Sequence, residues 1–229
     1  MRRIFALFLS LLLLPLPAKA AETKYVALTF DDGPSGKYTR ALLDGLYDRG
    51  VKATFLLCGY RMKDYPDITQ RIFDEGHEIG YHGYSHNNMQ QMSRRDIARE
   101  LDESRALLPE GCTPVFLRPP GGCCSDGVRQ VAQARDLAIL SWSVDPKDWG
   151  IRDTAAVERK VLSQIKDGDI VLLHDMRFSS VQASLDIIDS LREEGFEFVT
   201  VSQLAKIRNT KLKPGQAYRN FPEKEEQVK

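Results

Sequence analysis

Short apolar runs alternate along this chain with longer stretches in which apolar residues return every three or four positions. The runs cover residues 25–30, 53–57, 78–81, 115–117, 138–144, 170–173 and 196–201, and their near-continuous apolarity predicts buried strands. Between them the helical period predicts helices over 37–49, over a segment ending at Gly76, from Ser93 through 107, from Asp153 to 166 and over 180–194. Ser93, with Asp96 three residues on, and Asp153 read as N-caps, while Gly50, Gly76, Gly168 and Gly195 stand where elements stop. Apolar strands alternating with helices imply a parallel sheet covered by helices. Seven such units favour a single-domain barrel over an open doubly wound sheet.

The two ends of the sequence depart from this pattern. Arg2 and Arg3 precede an apolar run over 4–14, and Ala18-Lys19-Ala20 follows two prolines. That order predicts a signal peptide over residues 1–20, because the run is short of the roughly twenty residues a membrane helix needs. The expectation is an exported protein, extracellular or in the cell envelope, with no stable membrane insertion after cleavage. From residue 208 the chain turns polar and reads as a tail, leaving 21–207 as the domain. The 32 basic residues balance the 32 acidic ones. This removes the electrostatic reason to expect a nucleic acid partner. A hydrophobic content of 42% is enough for one sizeable core, and a monomer is expected.

Polar chemistry collects where the predicted strands end. The first leads into Asp31-Asp32-Gly33-Pro34, where neighbouring carboxylates point different ways and so can take different tasks. The third leads into His82-Gly83-Tyr84-Ser85-His86, two imidazoles at the spacing of a chelating pair. His77, between a helix-ending Gly and a strand, reads as structural. The fourth leads into Arg118-Pro119-Pro120-Gly121, where prolines fix the backbone beside a guanidinium able to orient a carboxylate. The fifth leads into Asp145-Pro146-Lys147-Asp148-Trp149 and the sixth into Leu172-Leu173-His174-Asp175. In a parallel barrel all of these fall on the carboxyl-end face, where catalytic groups converge.

Thr-Phe-Asp-Asp-Gly-Pro, His-x-x-x-His, Arg-Pro-Pro, Asp-x-x-Asp-Trp and Leu-x-His, in this order, resemble the polysaccharide deacetylases, the NodB-homology domain of carbohydrate esterase family 4. The resemblance covers residues 24–206. It implies a distorted (β/α)7–8 barrel and metal-dependent hydrolysis of N-acetyl groups on N-acetylglucosamine-type polymers, peptidoglycan or chitin-like. By motif position it implies Asp32, His82 and His86 as metal ligands, for Zn²⁺ foremost, with Co²⁺ or another divalent ion as substitutes. Asp31 is then the general base, Arg118 its positioning residue and His174 the acid. One acid of the Asp145/Asp148 pair supports His174, with Asp148 preferred for its place beside Trp149. The Gly121 N–H is expected to stabilise the oxyanion, and Trp149 and Leu172 to wall the acetyl pocket. Gly83 replaces the usual Ser or Thr after the first His, and Gly121 the aromatic that often follows Arg-Pro-Pro. Altered substrate preference is expected from these changes.

Two other readings stand beside this one: an esterase of the same family removing O-acetyl groups from xylan, and a catalytically silent carbohydrate-binding module, against which the joint presence of Asp31, Asp32, His82, His86, Arg118 and His174 argues. Of the four cysteines, Cys112 precedes the fourth strand while Cys123 follows it, which separates them by more than a disulfide spans. At most one bridge is therefore expected, from Cys58 to Cys123 or Cys124.

Overall fold

The computed structural model describes residues 23–223, so the predicted signal peptide lies outside the described residues. The chain runs β1 (Lys24–Asp31), α1 (Tyr38–Asp48), β2 (Thr54–Leu57), α2 (Gly59–Asp64), α3 (Pro66–Asp74), β3 (Glu78–Tyr81), α4 (Arg94–Arg105) and β4 (Phe116–Leu117). It continues through α5 (Asp126–Gln133), β5 (Ala138–Leu140), α6 (Thr154–Leu162), β6 (Asp169–His174), α7 (Phe178–Glu193), β7 (Phe196–Phe198), α8 (Val201–Ile207) and β8 (Ala217–Tyr218). The sheet order is β6-β1-β2-β3-β4-β5-β8, with every ladder parallel and β7 added to the first residues of β1. A bridge between Val144 and Val171 brings the segment after β5 back to β6, curling the sheet into a distorted barrel.

Strand alternation divides the core in two. On β1, Val26, Leu28 and Phe30 pack outward with Leu42, Leu46, Ile187 and Leu191 of α1 and α7. Ala27 faces the other way, into a cluster with Leu56, Phe116, Leu140 and Ile170. Thr29 and Asp31 share the inward parity of Ala27, which aims their polar groups into the barrel. Register then levels the strand ends: Asp31 lies opposite both Leu56 and His174, and Tyr81 opposite Leu117. His82 and Arg118 therefore emerge next to Asp31.

Several boundaries differ from expectation, each for a local reason. The run 196–201 is not one strand: Thr200 forms a capping box with Gln203, which makes Val201 the first residue of α8. The run 138–144 leaves the sheet after Leu140, where the Ser141 carbonyl turns to accept from Arg118. Pro66 opens a separate helix, splitting the stretch before Gly76 into α2 and α3. α5 was not anticipated, although Ser125 caps it and Val128, Val131 and Ala132 bury one face. β8 and the buried Phe221 come from the polar segment after 208. All four cysteines are free thiols, against the expected bridge. Cys58 is fully buried, its N–H committed to the Gly33 carbonyl, while Cys123 and Cys124 are half-buried beyond β4.

Candidate active site

The end of β1 carries two carboxylates into different surroundings. Asp31 stays in register and is 3% exposed. Its Oδ1 accepts from Arg118 Nη1 at 2.6 Å. The Arg118 guanidinium is wholly buried and also donates to Thr29 Oγ1 at 2.8 Å, the Ser141 carbonyl at 2.9 Å and the Leu140 carbonyl at 3.4 Å. It lies 5.6 Å from the centre of the Trp142 ring. A buried cation with four of its five N–H donors used is a rigid fixture, and it orients one carboxylate oxygen while leaving the other free.

Asp32 takes a left-handed backbone, φ 73°, and so swings out of the strand. Its Oδ1 sits 3.3 Å from His82 Nε2 and 3.0 Å from His86 Nε2. His86 too is left-handed, φ 61°. Such conformations cost about 1–3 kcal/mol outside glycine and concentrate at functional sites. His82 Nδ1 hydrogen-bonds the Arg118 carbonyl at 2.7 Å. A carbonyl only accepts, so this contact puts the proton on Nδ1 and leaves the Nε2 lone pair facing Asp32. Burial opposes ionisation of Asp32, but the imidazoles of His82 and His86, with His174 beyond, hold its carboxyl well below the usual range. The Asp32 carboxylate, 3.0 Å away, in turn raises the pKa of His86.

These three side chains converge with one donor atom each, all within 4.8 Å of one another. Asp32 Oδ1 is nonetheless buried without a properly formed hydrogen bond. An orphaned carboxylate oxygen facing two ring nitrogens fits a divalent cation, and an N₂O donor set suits the borderline-soft ions.

On the far side His174 Nε2 lies 4.0 Å from Asp32 Oδ2. Asp148, wholly buried, accepts from His174 Nδ1 at 2.8 Å and from the His174 N–H at 2.9 Å. Burial favours the neutral ring, yet Asp148 outweighs it and pushes the His174 pKa up to about 9. Asp145 instead accepts from the Lys147 N–H, closing a local turn. The structure thus brings Asp148, and not Asp145, to His174.

A recess of about 420 Å³ opens over this cluster, with Asp31, Gly121, Trp142, Trp149 and Leu172 among its walls. Gly121, φ 68°, follows Arg-Pro-Pro, and its N–H has no acceptor among the described residues. His77 is apart from the site: its Nδ1 accepts from the Ala53 N–H, and burial lowers its pKa to about 4.

Three supporting residues escaped sequence reasoning. Glu100, on α4, accepts from the N–H groups of Tyr84 and Ser85 and from Ser85 Oγ, each at 2.7 Å, and so fastens the His82–His86 loop. Gly83 has φ 83°, where a side chain would be strained, so the loop is steadied from outside. Trp142 packs where a Cβ on Gly122 would stand, 2.6 Å away. Asp175 is wholly buried behind the Asp32–Gly33 turn and hydrogen-bonds Thr39; burial pushes its pKa up to about 7.

Fold and site together define the class: a curled parallel (β/α) barrel with a candidate metal triad, an arginine-held carboxylate and an aspartate-backed imidazole at its carboxyl-end face. The polysaccharide deacetylase family model matches residues 18–140, over half of the chain, and the protein belongs to that family. A similar curated protein is the peptidoglycan-N-acetylglucosamine deacetylase PgdA of Listeria monocytogenes, 38% identical over 203 residues. The match takes in 87% of this chain and 42% of that protein, so the chain spans less than half of the relative's length. Among solved structures, a T48 deacetylase with substrate superposes with a TM-score of 0.80 at 37% identity, covering 86% of this chain and 96% of that one. A family 4 acetyl xylan esterase from Clostridium thermocellum in complex with a cobalt ion gives 0.81 at 32% identity, covering 87% and 100%. No helix among the described residues is long and apolar enough to cross a membrane.

Proposed function

We propose that the protein is an exported, metal-dependent hydrolase that removes N-acetyl groups from N-acetylglucosamine-type polymers, with peptidoglycan the first substrate to test. The observation that carries this reading is the unequal treatment of adjacent carboxylates. Asp31 is clamped by Arg118, while Asp32 faces His82 and His86 with an unsatisfied oxygen. Asp32, His82 and His86 would hold a divalent ion, Zn²⁺ foremost, which supplies Lewis-acid polarisation of the acetyl carbonyl and a lowered water pKa.

Asp31 keeps one oxygen for proton work and accepts the proton of the attacking water. As that water's oxygen bonds to the acetyl carbon, the Gly121 N–H faces the developing oxyanion. His174, kept protonated by Asp148, delivers its proton to the leaving nitrogen as the C–N bond breaks. Acetate and a free amine result, and the proton on Asp31 restores His174 through solvent. Trp149 and Leu172 enclose the acetyl methyl. Export rests on the basic, apolar and small-residue order of residues 1–20. The name of the Listeria relative supports peptidoglycan, and the esterase neighbour makes O-acetyl xylan the competing substrate.

The test is acetate release by the protein from Ala21 onward, offered peptidoglycan, chitooligosaccharides and acetyl-xylan, after chelation and then with Zn²⁺ or Co²⁺ restored. Metal-dependent release from an N-acetylated glycan supports the reading. Release confined to acetyl-xylan would overturn its substrate class, and binding without turnover would leave a carbohydrate-binding module.

A further inference from the structure

A second recess, about 220 Å³, shares Trp149 with the first as a lining residue. Asp32, His86, Trp149 and His174 border both recesses, so one glycan strand across the site would meet the two together. Their chemistry differs. The first holds Asp31, Asp145 and apolar walls; the second adds Tyr60, Arg61, Arg177 and Ser180.

Three independent features of the second recess favour an anion. Neither Arg61 nor Arg177 is salt-bridged to a carboxylate among the described residues; Arg61 only stacks on Tyr60 and donates to its hydroxyl at 3.1 Å. The one carboxylate in the lining is Asp32, already committed to His82 and His86. Next, α7, sixteen residues long, begins here at Phe178. Its N-cap is Arg177, no side chain caps it, and no acidic residue occupies its first turn. The N–H groups of Phe178, Ser179 and Ser180 have no acceptor among the described residues. A helix start of this kind carries partial positive charge and exposed donors. Last, Ser180, 1% exposed and lining the recess, has a hydroxyl without any partner. A buried hydroxyl left unmade costs about 1–3 kcal/mol unless something fills the gap.

We propose that this recess receives a carboxylate carried by the glycan next to the sugar being deacetylated, as on a lactyl-substituted acidic strand, so that the protein prefers acidic over neutral polymers. The inference rests on the deacetylase reading and narrows its substrate class: Arg61 and Arg177 would pair with the carboxylate, and Ser180 and the α7 N–H groups would complete its hydrogen bonds.

The test uses a matched pair of glycans, a stem-free peptidoglycan oligosaccharide with its lactyl carboxylates intact and the same material with those groups reduced to alcohols. The metal-loaded protein should show kcat/KM about tenfold or more higher on the acid. The preference should shrink with salt and collapse about tenfold in Arg61→Gln/Arg177→Gln, with Ser180→Ala giving a smaller loss. Calorimetric binding of the same two glycans reads the recess without turnover. Turnover with no acid preference would overturn the inference and leave the deacetylase reading standing. An acid preference that survives in the double variant would overturn it as well. Acid-selective binding lost in the double variant, with no turnover on any glycan, would support the recess and sink the deacetylase reading.

Discussion

Asp31 and Asp32 are neighbours in sequence and opposites in structure. Asp31 is closed in on its Arg118 side, where the guanidinium is wholly buried and donates to Asp31, Thr29 and two carbonyls. Around Asp32 the side chains grade from buried His82 to His86, which is 43% exposed, and one carboxylate oxygen is left over. The difference arises in the backbone. Asp31 keeps strand geometry and shares the inward parity of Thr29, whereas the left-handed turn at Asp32 breaks that parity. One dipeptide thus supplies a rigid carboxylate for proton transfer and a ligand with room beside it.

The sharpest way to break this contrast is to open its closed half. Arg118→Met should strand Asp31 as a buried, unpaired charge and cost about 3–5 kcal/mol of folding stability along with all activity. Denaturant melts and acetate release together check it; a loss of activity at unchanged stability would show that the network is not structural.

Next comes the imidazole between the halves. The pKa of His174 is raised to about 9 from an ordinary 6.5 by Asp148. In chelated protein this pair stabilises the fold fully below about pH 6.5, and the contribution is lost as pH rises through about 9, on the order of 3 kcal/mol in all. Asp148→Asn should flatten that alkaline slope relative to the parent, as measured by chemical denaturation at pH 6 to 10. An unchanged slope would mean that Asp148 does not hold the proton on His174.

Smaller effects should sharpen the open half. Glu100→Gln loosens the loop that presents His82 and His86, and should weaken metal binding about tenfold by titration, with only a modest loss of thermal stability. Gly83→Ala forces a side chain onto φ 83° and to 2.7 Å from Met89 Cε. It should cost about 1–2 kcal/mol without abolishing metal binding. A Gly83 variant as stable as the parent would place the origin of that loop's shape elsewhere.

What was legible in the sequence follows from range. Strands β1, β3 and β6 could be read because buried parallel strands are short, near-continuous apolar runs, and the polar groups that follow them mark one barrel face. Thr200 shows where that reading fails: Phe196 to Val201 is apolar enough for a strand, but a four-residue capping box from Thr200 to Gln203 decides the local structure. α5 carried a readable signal in Ser125 and its apolar spacing, hidden by the polar residues between. Glu100 carried none, since its contacts cross fifteen and sixteen residues to a loop with no complementary pattern. The choice between Asp145 and Asp148 likewise needed the fold, because the two lie in one turn and only the backbone there sends Asp148 to His174.

The division of labour between the two carboxylates is tested most directly by measuring bound metal and acetate release side by side for Asp31→Asn and Asp32→Asn. Asp31→Asn should bind metal at the parent's stoichiometry while releasing no acetate, and Asp32→Asn should lose both. Metal lost equally from both variants, or turnover retained in Asp31→Asn, would contradict the assignment.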